Sequence, residues 1–306
     1  MQRYILIRLI QSVFTLIGVS IIVFSLARLS GNPLDVLLPD EADDETFERI
    51  SELWGLNDPW YTQYFTFVKN ASRGEFGPSF KWQGRTAMEL VFLHLPATLQ
   101  LAGFSILVSV ILAVPIGVMS AVKKGTLLDT VGKLVALLGQ SLPSFWLAIV
   151  MIWIFAVKLG WFPTSGRGGF DHMILPGIAL GWFSVASFMR LTRSSMLNVL
   201  DSEYIKLARI KGLPEWKVIW KHGLKNAAIP PLTVFGAIVV GQMTGSVTIE
   251  TVFAWPGIGL LALQAVNARD YQVIQAVTMF ISVLFIGMNL LIDILYAYID
   301  PRIRFT

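Results

Sequence analysis

Long apolar runs constrain this chain more than any other feature of its sequence. Six stretches approach or exceed the roughly 20 residues that an α-helix needs to cross a hydrocarbon core of about 30 Å. Only 14% of the 306 residues are Asp, Glu, Lys or Arg, whereas soluble domains carry about 25%. Because so few charges cannot cover a soluble fold of this length, the sequence predicts an all-α membrane protein with six transmembrane helices. We place these helices at about 9–29, 98–122, 131–157, 173–198, 227–249 and 272–299.

Two of the apolar runs differ from the others. The first follows Arg3 and Arg8 as a secretory signal would, but it is longer than the roughly 7–15 residues of a signal core and lacks a cleavage pattern. We therefore keep it as an uncleaved helix. The fourth carries Arg190 and Arg193 in its last turns, so we expect it to face other helices instead of lipid.

The Lys and Arg residues of the loops predict the orientation in the membrane. They cluster before the first helix, between the second and third, after the fourth, and at the end of the chain. With six helices, all of these positions fall on one side, which the positive-inside rule makes cytoplasmic. Both termini are therefore predicted to be cytoplasmic. The residues concerned are Arg3, Arg8, Lys123, Lys124, Lys133, Lys206, Arg209, Lys211, Lys217, Lys221, Lys225, Arg302 and Arg304.

The segment 31–95 is predicted to be an extracytoplasmic insert after the first helix. It carries eleven Asp or Glu residues against five Lys or Arg residues. A short helix is expected at 43–54, because Phe47, Ile50 and Leu53 share one face. The insert is either a solvated cap or a docking surface for another protein. Its aromatic residues, which can pack it onto the membrane rim, are Trp54, Trp60, Tyr61, Tyr64, Phe65 and Phe67.

The predicted organisation is therefore one membrane domain with one insert. Residues 1–30 hold the N-terminal helix, 31–95 the insert, 96–300 a five-helix core, and 301–306 a cytoplasmic tail. Pro115 and Pro143 are predicted to kink the second and third helices.

The most informative stretch is the basic loop 199–226 within the core. Asp201 is predicted to cap a short helix, Glu203 lies in its first turn where the helix dipole favours an anion, and Lys211 with Gly212 is typical of its end. Pro214 is then expected to open a second short helix.

That second helix is predicted to run to His222 and to stop at Gly223. Because two such helices have no core of their own, Leu213, Trp216 and Val218 need to be covered by something else. A plain connector lying on the lipid headgroups also fits this basic, amphipathic pattern.

No enzymatic chemistry is predicted. Cysteine is absent, which excludes disulfides and thiolate sites. Gly132-Lys133 lacks both the leading glycine and the hydroxyl residue of a phosphate-binding loop, so the chain is not expected to hydrolyse ATP. Ser141 and Ser144 have no histidine or lysine placed with them, which argues against an intramembrane protease.

Metal and nucleic-acid binding are not predicted either. The three histidines, His94, His172 and His222, do not show the spacing of a zinc site. The net charge of +4 comes from basic residues in short loops beside apolar runs, where they set topology.

Two further features are candidates for functional sites within the membrane. Residues 250–271 interrupt an apolar stretch with Trp255-Pro256-Gly257; we expect either a re-entrant segment of an outer gate or a simple outer loop. The gate and path candidates are Glu250, Trp255, Pro256, Gly257 and Asp270. Asp293 lies inside the last helix and is either a functional-site candidate or, near the cytoplasmic end, the partner of a loop Lys or Arg; we expect the second.

The loop resembles that of binding-protein-dependent ABC importer permeases, in the form of the dipeptide and oligopeptide branch. The positions that carry the likeness are Glu203, Tyr204, Ala208, Arg209, Lys211, Gly212, Leu213, His222, Leu224, Asn226 and Pro230. It departs from the broader Glu-Ala-Ala pattern of such permeases, which narrows the resemblance to the peptide branch. Anchored on Gly212, the pattern's positions hold Lys206, Leu207 and Ala208, then His222 and Lys225.

Other motifs in family order extend the resemblance over nearly the whole chain. They are Ser30-Gly31-Asn32-Pro33, Gly55-Leu56-Asn57-Asp58-Pro59, Gly74-Glu75-Phe76-Gly77-Pro78-Ser79, Leu95-Pro96-Ala97-Thr98-Leu99, Pro143-Ser144-Phe145-Trp146, Leu159-Gly160-Trp161-Phe162-Pro163, Glu250 to Gly259, and Asp300-Pro301-Arg302-Ile303. Asn32 stands where the family has an acid.

The resemblance implies a type I ABC importer permease fold in a bacterial inner membrane. It implies a second homologous permease subunit, two ATPase subunits and an extracytoplasmic substrate-binding protein as partners, in contact with membrane lipid and not nucleic acid. Mg-ATP would be bound by the ATPase subunits and no cofactor by this chain. Residues 205–213 would be the mechanical contact with the ATPase.

The resemblance leaves the cargo open. Di- and oligopeptides are expected, with nickel complexes, glutathione or sugars as alternatives. A secondary transporter and a membrane scaffold are the competing classes. A secondary transporter would leave the basic two-helix loop without a reason, and a scaffold would make Gly212 mechanically irrelevant.

Overall fold

The computed structural model describes residues 2–29, 34, 43–53, 55–243 and 247–299. Within these residues the regular structure is helical, and the single β-type contact is an isolated bridge between Pro78 and Thr86. The helices, numbered in chain order, are α1 (Gln2–Leu29), α2 (Asp44–Leu53), α3 (Trp60–Ala71), α4 (Ala87–Val122), α5 (Leu127–Ser141), α6 (Ser144–Lys158), α7 (Asp171–Leu200), α8 (Glu203–Ile210), α9 (Lys217–Ala227), α10 (Ile229–Met243), α11 (Val247–Val252), α12 (Ile258–Asn267) and α13 (Tyr271–Ile299).

Long apolar helices confirm the multi-span character of the chain. Four of them, α1, α4, α7 and α13, are each long and apolar enough to cross a membrane. The pairs α5 with α6 and α9 with α10 pass the same test together, although they are bent by 109° and 57°. The described part of the chain therefore holds four such helices, or up to six if each bent pair is one span.

The predicted third helix is not continuous. Leu142 has extended backbone between α5 and α6, because a proline disfavours helical backbone in the residue before it, here Pro143. The predicted kink is thus a sharp break. By contrast, α4 continues through Pro115.

The chain forms two compact units, which we call the terminal unit (Met1–Pro96 with Gly257–Thr306) and the central unit (Ala97–Pro256). In the terminal unit α1 packs along α13, and the start of α4 joins α12 and α13 in a core around Leu90, Val91 and Leu261. In the central unit α7 contacts α5, α6 and α10.

The aromatic residues after α2 pack partly as expected. Helix α2 confirms the predicted segment 43–54, although Trp54 lies outside the described residues. Phe24 at the end of α1 meets the rings of Trp60, Tyr64 and Phe67 at centroid distances of 5.8, 5.6 and 5.7 Å. Helix α3 is therefore held on the end of α1. Tyr61 and Phe65 remain exposed.

Helix α7 confirms the expectation that the fourth apolar run faces other helices. Over its most apolar window 56% of residues are buried, against 39%, 17% and 6% for α4, α1 and α13. Glycines allow this packing: a Cβ on Gly139 would lie 2.5 Å from that of Ala186, and one on Gly117 would lie 2.8 Å from the Met189 carbonyl oxygen. Small residues thus let α4 and α5 approach the α7 backbone closely.

Candidate functional site

The two-helix loop, residues 202–227, begins one residue later than its sequence indicates. Asp201 still has helical backbone at the end of α7, and Ser202 is the extended N-cap residue of α8. The prediction that Asp201 caps this helix is therefore wrong. The Ser202 carbonyl accepts the N–H groups of Ile205 and Lys206 at 3.1 and 3.2 Å. Glu203 occupies the first turn, as expected.

Gly212 makes the turn that ends α8. Its φ is +74°, a region that residues with a side chain seldom adopt. The Gly212 N–H donates to the Arg209 carbonyl at 2.9 Å, and the Leu213 N–H donates to that of Ala208 at 3.3 Å, which is the Schellman pattern of a helix end. A Cβ on Gly212 would meet nothing within 4 Å. Glycine is thus required for backbone conformation and not for space.

The second helix is longer than predicted. The Pro214 carbonyl accepts the first helical bonds, from Lys217 and Val218 at 2.9 and 3.2 Å, so Pro214 opens the helix as expected. Gly223 does not end it, because its backbone remains helical and the chain continues to Ala227. Gly223 is instead a place of close approach, since a Cβ there would lie 3.3 Å from Met196 Cε.

One side of the two-helix loop is anchored on the membrane helices. Ile205 and Val218 are fully buried. Ile219 and Ala227 pack with Met196 of α7 and with the last turns of α4 in one apolar cluster. Of the side chains expected to need a cover from outside the two loop helices, Val218 is buried within this chain, whereas Trp216 stays exposed.

The opposite side of the loop is exposed and apolar. Ile210 is 82% exposed and Trp216 is 63% exposed. Further exposed apolar side chains on this side are Tyr204, Leu207 and Trp220. A cluster of large exposed side chains, several of them aromatic, is typical of a protein-binding surface.

Two ion pairs border this exposed side. Lys206 Nζ lies 2.8 Å from the carboxylate of Glu203, and Arg209 Nη2 lies 2.8 Å from that of Glu215. Glu203 raises the pKa of Lys206, and Glu215 raises the pKa of Arg209. Both cations therefore keep their charge throughout the physiological pH range.

A buried ionic node lies in the same unit as the loop. Asp129 in the first turn of α5 is fully buried. Its carboxylate accepts Arg193 Nε and Nη2 at 2.7 and 3.1 Å, Lys133 Nζ at 2.8 Å, Ser120 Oγ at 2.7 Å and the Gly125 N–H at 3.0 Å. These contacts tie α4, α5 and α7 together near the helix ends from which the loop departs.

Sequence reasoning missed Asp129. The one visible signal was its spacing of four residues from Lys133, which places an acid and a base on one helix face. Arg193 was noted as a polar residue of a membrane helix, but its partner comes from another helix. A pairing across 64 residues leaves no local pattern to read.

The gate candidates of the central unit lie at a helix break. Glu250 in α11 is buried and accepts a hydrogen bond from Thr98 Oγ1 at 2.9 Å. Trp255 is fully buried; its indole donates to the Ala97 carbonyl at 2.8 Å, and its N–H donates to the Glu250 carbonyl at 2.8 Å. Ala254 has φ +46°, and the chain leaves the unit at Pro256. Glu250 and Trp255 are thus brought together by one tight turn.

Gly257 and Asp270 belong to the terminal unit. Gly257 is the N-cap residue of α12. Asp270 is fully buried and caps α13 by accepting the Val273 N–H at 3.2 Å. Its other oxygen accepts Ser79 Oγ at 2.5 Å and the N–H groups of Phe80 and Lys81 at 2.9 and 3.1 Å. These bonds hold the loop before α4 onto the start of α13.

Together these features define a class: a helical membrane protein with an exposed apolar loop mounted on its spanning helices. Residues 113–305 match the family described as "Binding-protein-dependent transport system inner membrane component". The chain belongs to this family of ABC importer permeases, which makes it a multi-pass membrane protein.

Relatives match the chain over its full length. It is 39% identical to the dipeptide transport system permease protein DppB of Alkalihalophilus pseudofirmus and 37% identical to the oligopeptide transport system permease protein AppB of Bacillus subtilis. It is 38% identical to the glutathione transport system permease protein GsiC of Escherichia coli. Each alignment covers 100% of both chains.

Proposed function

We propose that the chain translocates di- or oligopeptides delivered by an extracytoplasmic binding protein. The support is that its full-length relatives include permeases named for dipeptides, oligopeptides and glutathione. Glutathione is itself a short peptide-like molecule, so these names share one chemistry. Nickel complexes and sugars remain alternative cargoes.

The two-helix loop is the proposed point of contact with an ATPase subunit. The observation that carries this proposal is its division into a buried side, with Ile205 and Val218, and an exposed apolar side, with Ile210 and Trp216. A force applied to the exposed side reaches α4 and α7 through the buried one. ATP and Mg²⁺ would be held by two partner ATPase subunits, and no cofactor by this chain.

The rest of the proposed assembly rests on the likeness to importer permeases. The loop and both termini would face the cytoplasm, and the segment between α1 and α4 would face the binding protein. A second, homologous permease would complete the path. The outer-gate candidates of the central unit would be Glu250, Trp255 and Pro256, and those of the terminal unit would be Gly257 and Asp270.

Replacement of Gly212 tests the coupling role. Gly212→Asp adds strain and a charge to the turn, so we expect loss of peptide uptake at normal abundance in the membrane. Gly84→Asp is a matched control, because Gly84 has φ +79° and also has no atom within 4 Å of a Cβ. Normal uptake by the Gly212 variant at normal abundance would overturn the coupling role.

Copurification separates this function from that of a secondary transporter. Purification of the wild-type chain from its native membrane should recover a second permease and ATPase subunits. ATP hydrolysis should rise when the loaded binding protein is added. An isolated chain with no associated ATPase would contradict the proposed importer.

A further inference from the structure

The terminal unit contains a polar pocket of about 180 Å³. It lies between the last turns of α1, the helix α3 with the turn before it, and the first turns of α13. Its apolar walls include Phe24, Phe67 and Tyr271. None of these residues belongs to the two-helix loop or to the gate candidates.

Amide and hydroxyl side chains cover two facing sides of this pocket. Gln63, Thr66 and Asn70 are three and four residues apart on α3, which places them on one helix face. Gln272 and Gln275 are three residues apart on α13 and also line the pocket. Both helices therefore line the pocket with polar side chains, whereas two helices packed directly against each other usually meet through apolar side chains.

The pocket contains one cation, Arg28 of α1, and one acidic residue, Asp58 of the turn before α3. Arg28 is partly buried, and among the described residues it forms no ion pair within 4.0 Å with Asp58 or with any other carboxylate. Its guanidinium carbon lies 5.7 Å from the centroid of the Phe24 ring. A guanidinium in this setting presents paired donors suited to a carboxylate.

Two hydrogen-bond acceptors of the pocket residues also lack partners within the described structure. They are the Oε1 atoms of Gln63 and Gln272, which are both buried. The orientation of the Gln63 amide is determined, because its Nε2 donates to the Leu56 and Asp58 carbonyls at 2.9 and 2.7 Å. Buried polar atoms are usually hydrogen-bonded. These two oxygens are therefore available to accept hydrogen bonds from an N–H or O–H group of a bound ligand.

We propose that this pocket binds a small ligand in which a carboxylate stands next to an amide, such as the carboxyl end of a peptide. The carboxylate would pair with Arg28 and the amide N–H with a glutamine oxygen. A volume of about 180 Å³ admits a terminal residue and not a long chain. The carboxylate comes either from the cargo or from an acidic side chain of the binding protein, and this choice rests on the proposed function. The proposal that the pocket binds a carboxylate next to an amide does not depend on that function.

Small probes test the pocket with the full chain in lipid nanodiscs. N-acetylglycine carries both groups, and N-acetylglycinamide has the same shape without the charge. Saturation-transfer NMR should detect binding of N-acetylglycine and at least tenfold weaker binding of the amide. Arg28→Gln should weaken binding of N-acetylglycine about tenfold to a hundredfold, as expected for loss of a charged hydrogen-bond partner.

Arg73→Gln is the matched control, because Arg73 is an exposed arginine of the same unit and does not line the pocket. If Arg28→Gln does not fold, Gln272→Leu replaces it and should also weaken binding. Equal binding of the two probes, or unchanged binding by both pocket variants, would overturn the proposal.

Uptake by the reconstituted importer distinguishes the two possible sources of the carboxylate. If it comes from the cargo, Arg28→Gln should lower uptake of glycylglycine more than that of glycylglycinamide. If it comes from the binding protein, both uptakes should fall equally and the binding protein should dissociate faster. Absence of uptake by the wild type would count against peptide cargo, while the nanodisc result would still decide the pocket.

Discussion

At the scale of single residues, the Asp129 carboxylate of the central unit is fully buried and charged, with several partners. A buried carboxylate is costly unless it is both paired and hydrogen-bonded. Asp129 meets both conditions, because Arg193 contacts it through two nitrogens and Ser120 and Gly125 fill its remaining positions. Removal of its charge leaves Arg193 partly buried without a counterion.

We therefore expect Asp129→Asn to lower the free energy of unfolding by about 3–5 kcal/mol, the usual result of breaking one side of a buried pair. Thermal unfolding in detergent measures this change. Lys133→Met is the matched control: Lys133 is 55% exposed, so its loss should cost about 1 kcal/mol or less. Equal losses of unfolding free energy in the two variants would show that burial does not determine how strongly these ion pairs stabilise the protein.

At the scale of helices, α8 presents two isoleucines to opposite environments. Ile205 is fully buried, whereas Ile210 is 82% exposed. Ile205→Ala should lower the free energy of unfolding by about 2–5 kcal/mol, because it leaves a cavity at a fully buried position. Ile210→Ala should leave unfolding unchanged but reduce the amount of ATPase that copurifies. A destabilised Ile210 variant, or normal ATPase recovery with it, would contradict a docking role for this face.

The helices α1 and α13 are joined by an ion pair that the sequence indicated only in part. Asp293 was expected to pair with a nearby base, and Arg8 Nε lies 3.1 Å from its carboxylate. We expect Asp293→Asn to lower the unfolding temperature in detergent without changing cargo preference, because the pair joins two helices of one unit. The exchange of both residues, Arg8→Asp with Asp293→Arg, should restore part of the loss. A change in preference among competing peptides, with unchanged unfolding, would instead assign Asp293 to the path.

Helix positions were predictable because each depends on a local apolar run: four predicted spans correspond to long single helices, and the third corresponds to the bent pair α5–α6. The fifth, predicted at 227–249, overlaps α10 (Ile229–Met243), whereas the bent pair that passes the length test also includes α9, which was predicted as part of the loop. The 109° break at Pro143 was underestimated, since a proline marks the place of a bend but tertiary packing sets its angle. Gly212 was found because a glycine after a basic last turn is a local signal. The Asp129 to Arg193 pair was not, because no local pattern reports contacts between distant helices.

At the scale of the whole molecule, the chain passes between its two units at Pro96 and at Pro256. The first passage lies inside the continuous helix α4, and the second lies in the turn that buries Trp255. The units are therefore connected by one helix and by one hydrogen-bonded turn. The proposed gate residues are divided between the units by this second passage.

Orientation is the whole-molecule property that carries the proposed function, and the absence of cysteine makes it directly testable. Three spans separate Arg73 from Lys211 if each bent pair crosses the membrane once, so the two positions must lie on opposite sides. Both side chains are exposed. A membrane-impermeant maleimide should label Arg73→Cys in spheroplasts, and it should label Lys211→Cys only in inverted vesicles. Labelling of both from the same side would show that the α5–α6 pair turns back without crossing, and the two-helix loop would then be unable to reach a cytoplasmic ATPase.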